Sequence, residues 1–528
     1  MPEQADRRAH GIAEMLGAHR ESGIRLLYID IDTLRPDHLG CYGYERPTSP
    51  NIDALAESGV RFDGIYTSDS PCLPARSALQ TGMFGIHNGA VGHGGTAADT
   101  FHEGLQRGFR SRRAYNSLAA LLSRSGTWTT TISVFGQHHS ALQWYAGFNE
   151  AIQDGYGSWM SEGVTPLARD WIARNAAARE SWFLHVHVWD PHTPYIAKPE
   201  DADRLGESRP KWITPEILAH HRSMAGPHSA QETLGFEQPG SAFASLPLMP
   251  GDLENVDDVS RMFDGYDTGI RRSDDMVGVL LNDLDSMGVL DDTAILVASD
   301  HGENFGELGI YADHQTADEI THHVPAILKW PGLPGAQGGR VDSALHYQVD
   351  LGATIVELCG AEVPDNWDGE SFAASLQDHE QETSDSHGRE KLVLSHAAWT
   401  VQRSLRWDDW LCIRTAHDGF HGFPEVMLFD VAADPHLQED LASQFPELVE
   451  YAISEIDRWR EEMLDSSVTG IDPHDTVMAE GGPFHAWGEL PAYLERLRET
   501  GRAPLADQLE ARWPDEASGM GPSNPGPF

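Results

Sequence analysis

The sequence predicts an α/β protein: a large mixed, mostly parallel sheet sandwiched by helices, with a smaller C-terminal domain of antiparallel strands plus a helix. Three observations lead there. Short, uniformly apolar runs alternate with helical patterns along most of the chain, which is how strands buried on both faces read. Several of these runs end at an acidic residue. Past Gly388 the texture changes to closely spaced β-rich runs followed by one helical pattern.

Taken in order, Ile24–Ile31 is a buried strand ending in the acidic step Asp30-Ile31-Asp32. Ser49 and Pro50 start a helix that runs through Ser58 to Gly59, with proline at its first position. Ala114–Arg124 is an amphipathic helix and Trp128–Val134 a β-rich run. Trp182–Trp189, Ala294–Ala298 and Val324–Trp330 are further buried strands, and a helical pattern spans Asp258–Met287. Ligands collect at the carboxyl ends of strands in an open α/β sheet. The ends carrying Asp32, Asp190 with His192, and Asp300 with His301 are therefore expected to converge. Residues 1–388 read as the main α/β domain. Residues 389–470 read as the smaller one, with strands at Lys391–Ser395, Trp399–Trp407 and Trp410–Thr415 and a helix at Pro446–Met463. Residues 471–528 read as a Pro- and Gly-rich tail with one helix near Leu490–Thr500 and a disordered last dozen residues.

Composition excludes whole classes of partner. The 528 residues carry 82 Asp+Glu against 37 Lys+Arg, a formal charge of −45, and such a polyanion repels nucleic acid and anionic membranes. Only four of the basic residues are lysines: Lys198, Lys211, Lys329 and Lys391. Met1–Gly23 lacks the apolar run of a signal peptide, and no segment has the length and hydropathy of a membrane span. Cys41, Cys72, Cys359 and Cys412 are too scattered for a disulfide framework or a zinc cluster. The expectation is a cytoplasmic protein with reduced thiols.

One cysteine stands out. Ser70-Pro71-Cys72-Leu73-Pro74-Ala75-Arg76 leads into Leu79-Gln80-Thr81-Gly82. Pro74 favours a helix start, which puts residue 72 at a helix N-terminus where free N–H groups attract an anion. Arg76 follows one turn later on the same face. The run Cys-x-Pro-x-Arg…Leu-x-Thr-Gly resembles the signature of the type I, formylglycine-dependent sulfatases of the alkaline-phosphatase superfamily. The resemblance extends to Ile31–Asp37, Leu39–Gly43, Ser49–Ala56, Trp189–Tyr195, Ser299–Glu303, Val324–Gly332 and Leu428–Pro435. It therefore runs in order from about residue 24 to residue 465.

The resemblance implies that Cys72 is oxidised to formylglycine by a formylglycine-generating enzyme or maturase and acts as the nucleophile. It also implies a divalent metal held by Asp32, Asp300, His301 and the modified Cys72 oxygen, with Arg76, His139 and His192 as further catalytic groups. Carboxylate ligands suit calcium, the first expectation, or magnesium, and the histidine nitrogen suits manganese. The family often has two adjacent acids where this chain has Asp32-Thr33; Asp30, on the same strand face, either compensates or caps the strand entrance. Two lysines of the pattern are absent: Gln137 replaces one, and the other falls on Asp313 beside His314. Substrate contacts are assigned to Gln137 and His314, with His322 and His323 as other candidates for the missing cation. The implied activity is hydrolysis of a sulfate monoester, or a sulfamate, of a small-molecule substrate. The alternative is a phosphonate monoester or phosphodiester hydrolase of the same superfamily, and a non-enzymatic binding protein is disfavoured by the joint survival of nucleophile, arginine and ligands. Self-association stays open. The cluster Arg107, Arg110, Arg112 and Arg113 reads as a solvated basic loop.

Overall fold

A computed structural model describes residues 23–102, 112–153, 159–207, 210–236, 246–377 and 388–522. The main sheet contains β1 (Arg25–Ile31), β2 (Val60–Phe62), β4 (Trp128–Ile132), β5 (Glu150–Ile152), β6 (Trp182–Val188), β7 (Thr293–Ala298), β8 (Ala326–Lys329) and β9 (Arg340–Asp342), while β3 (Asp69–Ser70) lies outside it. Its strand order is β9-β2-β8-β7-β1-β6-β4-β5. Only β8 runs against its neighbours, pairing antiparallel with both β2 and β7. The sheet is thus mixed and mostly parallel, as the buried apolar runs predict.

Residues of β1 alternate between two cores. Leu27, Ile29 and Ile31 pack on one face with helices α1 (Pro50–Ser58), α3 (Ser161–Asn175) and α4 (Val256–Ser286). Leu26 and Tyr28 pack on the other with Leu79, from α2 (Cys72–Thr81), and Leu118–Leu122. Asp30 and Asp32 share the second face by the two-residue period of a strand. The expected Ala114–Arg124 helix is broken: Ser117 accepts from the Ala120 amide and caps a helix that starts at Leu118.

The second sheet has the order β13-β12-β11-β10-β3, built from β10 (Lys391–His396), β11 (Val401–Trp407), β12 (Trp410–His417) and β13 (Val426–Asp430). Its edge strand β3 comes from the N-terminal part of the chain and pairs parallel with β10. The helix α5 (Pro446–Ser466) packs on it, with Pro446 at the first position as the sequence predicts.

The tail differs from expectation. It forms α6 (Pro473–Ala479), α7 (Leu490–Glu499), α8 (Ala503–Arg512) and a last turn at Pro514–Ala517. Leu490, Leu494, Leu497 and Leu509 bury against Phe420 and Ala225. Buried ion pairs hold both ends: Arg403 donates to Asp472 at 2.7 and 2.6 Å, and Arg502 pairs with Glu232. α7 is the helix expected near Leu490–Thr500; α6, α8 and the last turn were hidden because each is short and opens on a proline at its first or second position. Residues 523–528, in the segment expected to be disordered, lie outside the described residues. So do Arg107, Arg110 and the side chain of Arg112, whereas Arg113 is buried rather than solvated.

Asp472 also caps α6 by accepting from the His474 amide. Burial opposes its charge, but Arg403 and Arg460 hold the carboxyl well below its ordinary value. A depressed native pKa contributes stability above the unfolded value of about 3.9, lost as pH falls through the carboxylate range. Asp472→Asn is therefore expected to weaken attachment of the tail by about 3 kcal/mol. Hydrogen exchange across residues 473–512 should accelerate at neutral pH, and the difference from wild type should shrink on acidification.

Candidate active site

The central strands place the acids. β1 pairs in parallel with β7, Asp30 opposite Ala298, so Asp32 and Asp300 lie side by side just beyond the two strand ends. Both are fully buried, at 0 % and 1 % exposure. β6, on the other side of β1, adds two histidines: His185 Nε2 is 3.3 Å from Asp30 Oδ2 and His187 Nε2 is 3.1 Å from Asp32 Oδ2. Thr131 and Ser133 on and just after β4 orient these rings through their Nδ1 atoms, at 2.9 and 3.0 Å.

α2 begins at Cys72, as Pro74 predicts, and ends at Gly82 in the left-handed conformation. Arg76, one turn in, is 1 % exposed and spans all three acids. Its Nε donates to Asp30 at 2.8 Å, and its Nη1 to Asp32 at 3.0 Å and to Asp300 at 2.6 Å. Arg76 and His185 engage the oxygens of Asp30.

Cys72 Sγ is 3.0 Å from His301 Nε2. Asp32, Cys72, Asp300 and His301 each offer one ligand atom, all within 4.8 Å of one another. Cys72, His301 and His314 form a second such group. Three carboxylates against one guanidinium leave negative charge uncompensated in a low-dielectric interior. Accordingly burial, with Asp32 and Asp30 alongside, raises Asp300 well above the carboxylate range despite Arg76. Burial, Asp32 and Asp300 likewise raise the Cys72 thiol. The donor set fits a divalent cation on two further counts. Asp32 Oδ1 is buried without a hydrogen-bond partner. His301 Nδ1 is 2.9 Å from the Gly302 carbonyl, which as a donor leaves the Nε2 lone pair facing the cluster.

Imidazoles wall the other side. His314 lies 4.1 Å from His301 and 5.1 Å from His192, centroid to centroid. Its Nδ1 is 3.0 Å from Glu303. Burial opposes its protonation, but Asp313 and Glu303 push it up to about 9. His139 packs on Phe135 at 4.9 Å and stacks on Trp189 at 6.1 Å, and its Nε2 is buried without a partner.

With this geometry in view, a family profile for sulfatases matches residues 25–361, well over half of the chain. The chain belongs to the sulfatase family. It is 24% identical to an ulvan-active sulfatase of Formosa agariphila, over 79% of this chain and 76% of that protein. It is 24% identical to a choline-sulfatase of Rhizobium meliloti, over 84% and 89%. Among solved structures it matches one in complex with D-glucosamine-2-N,6-O-disulfate at a TM-score of 0.67, 18% identity and coverage of 86% and 99%. It matches the phosphonate monoester hydrolase of Agrobacterium radiobacter at 0.61, 19% identity and coverage of 83% and 96%.

Sulfatase-family residues expected from the sequence divide into those brought together and those left apart. Asp32, Cys72, Arg76, Asp300, His301, His139, His192 and His314 share one region. Gln137 does not: it is exposed on the short helix Phe135–His138, so it leaves the lysine position without a polar replacement in the pocket. Asp190 also departs, since it accepts from the amide and hydroxyl of Ser161 at 2.6 and 2.7 Å and anchors the start of α3. His322 lies between Ser70 and the Thr67 carbonyl, and burial lowers it to about 4. His323 stacks on Tyr66. Of the three histidines weighed as replacement cations, His314 is the one that packs on His301 and His192. Sequence reasoning missed His185 and His187, whose two-residue spacing within Trp182–Trp189 was the available signal.

His314→Ala is expected to lower kcat/KM for a sulfate ester at least about tenfold, a loss of ~1.4 kcal/mol, with His314→Lys recovering part of it. A change within about twofold would show that the imidazole takes no part.

Proposed function

We propose that the protein hydrolyses a sulfate monoester, or a sulfamate, of a small substrate, with Cys72 converted to formylglycine as the nucleophile. The observation that carries this reading is the placement of Cys72 at the N-terminus of α2, its Sγ against His301 and within the cluster of Asp32 and Asp300. The thiol there stands in for the formylglycine oxygen. Cys72 is 1 % exposed, so conversion by a formylglycine-generating enzyme or maturase precedes folding.

Asp32, Asp300, His301 and the modified residue 72 would hold one divalent ion. Calcium is the first choice from the carboxylate ligands, and magnesium and manganese also suit the set. Bound there, the ion supplies charge neutralisation for ester oxygens and for residue 72. The remaining work falls to the chain. Arg76 fixes the three acids. His314, protonated between Glu303 and Asp313, faces the anion as the cation the missing lysines would otherwise provide. His192 and His139 border the bond to be cleaved, where an imidazole can hold the leaving oxygen and return a proton to it. The net charge of −45 repels long sulfated polysaccharides. The buried cluster favours a small ester for the same pocket.

Four measurements test this. Peptide mass analysis should find an aldehyde at residue 72, and Cys72→Ala should abolish turnover while costing only about 1 kcal/mol of stability. Turnover retained in that variant refutes the nucleophile. Paired aryl sulfate and aryl phosphonate esters decide between sulfate and phosphonate chemistry, the sulfate being turned over faster on this reading. Chelation should abolish turnover and lower the unfolding temperature, because it leaves the acid cluster unneutralised; re-addition of the ion should restore both. An unchanged rate with no metal by elemental analysis would refute the metal site.

A further inference from the structure

The tail reaches the active site. After α6, Glu480 accepts from the Thr96 amide at 3.1 and 3.3 Å, and Phe484 packs on Gly94, where a Cβ would lie 2.2 Å from its ring. The His485 amide donates to the Ala398 carbonyl at 3.2 Å. These contacts fix a short turn, Phe484–Ala486, against the loop 92–96 and against the chain following β10. The His485 ring is stacked on Trp399, 4.5 Å between centroids and 19° between planes. Its Nε2 lies 3.0 Å from His93 Nδ1. The His93 ring is in turn 4.9 Å from His139, and both His93 Nε2 and His139 Nε2 are buried without hydrogen-bond partners.

A buried imidazole nitrogen without a partner is costly unless a ligand satisfies it. Two such atoms on touching rings, with His139 packed on Phe135, a member of the apolar cluster that contains Cys72, mark a place where ligand oxygens belong. A neutral imidazole carries one N–H, so whatever meets one nitrogen decides what the other presents. Burial keeps both rings of the pair neutral at pH 7, lowering His93 well below its ordinary value and His485 to about 4. If His485 Nε2–H donates to His93 Nδ1, the His93 proton sits on Nε2 and becomes a donor directed at an anion.

We propose that His485, carried by the C-terminal tail, is a positioning residue for the hydrolytic site: it holds His93 so that His93 Nε2–H hydrogen-bonds an oxygen of the bound sulfuryl group. This rests on the reading that the pocket over Cys72 receives a sulfate ester. The stacking on Trp399 sets the plane of the His485 ring, and the ring sets the tautomer of His93. The tail thereby completes the anion site that the absent lysines leave short of donors.

The test separates the donor from the packing. His485→Phe keeps a ring on Trp399 and removes the N–H, whereas His485→Gln keeps a donor of similar reach. His485→Phe is expected to weaken binding of inorganic sulfate about tenfold, measured by calorimetry on the metal-loaded protein, and to lower kcat/KM for the ester by a similar factor. His485→Gln should restore most of both. In a His93→Ala background the effect of His485→Phe should vanish, since the residue acts through His93. Unchanged sulfate affinity in His485→Phe overturns the proposal. So does an equal loss in His485→Phe and His485→Gln, which would mark a packing role. The sulfate measurement does not need turnover. An intact affinity difference in a protein that hydrolyses no ester would overturn the hydrolytic reading and leave His485 as a positioning residue for anion binding alone.

Discussion

Three carboxylates buried around one guanidinium govern this structure. Asp30, Asp32 and Asp300 are each at most 1 % exposed, and two like charges about 4 Å apart repel by ~4 kcal/mol at an effective dielectric near 20. The parallel pairing of β1 with β7 makes their proximity unavoidable. Arg76 relieves part of the repulsion and can do so only if α2 lies over those strand ends. Cys72, one turn before Arg76 on the same helix, is thereby delivered to the same acids. The position of the candidate nucleophile is a consequence of charge compensation.

α2 is aimed as well as anchored. The strand before it, β3, forms the edge of the second sheet. Ser70 Oγ lies between His322 Nε2 at 2.9 Å and His396 Nδ1 at 2.8 Å. At its far end Gly82 has φ of 65°, and a Cβ there would lie 1.8 Å from the Trp367 ring. The second sheet therefore belongs to the site even though its strands carry none of the acids. The tail extends the same logic by fastening Asp472 to Arg403 and bringing His485 to His93.

The chemistry of this pocket is histidine chemistry. The chain has 27 histidines and four lysines, and Asp313 and Glu303 raise the pKa of the His314 imidazole against the effect of burial. Glu303 meets one side of His314, and Asp313 the other; Asp313 is itself 2.8 Å from His228. A lysine would carry its charge with little help from its surroundings. An imidazole in the same place requires this acid framework, and Tyr195 completes it by donating to Glu303 at 2.7 Å.

Local patterns in the sequence determined the longer strands, the helix from Pro50 to Gly59 and the start of α2 at Cys72, because apolar runs, caps and prolines act within one or two turns of chain; the short strands β2, β3, β5 and β9, and β13, were not read. The acids at the strand ends were legible for the same reason. Asp190 was legible but misplaced, since nothing local distinguishes an acid that anchors Ser161 from one that faces the pocket. His185 and His187 alternate on one strand face, but nothing local tells that this face meets Asp30 and Asp32 on the neighbouring strand. Apart from the helix near Leu490, the packing of the tail stayed hidden because its partners are far away in sequence: Asp472 and Arg403 are 69 residues apart, and His485 and His93 are 392 apart. Side-chain hydrogen bonds over such separations leave no periodic trace in the sequence, so only the tertiary structure decided which histidines meet at the site.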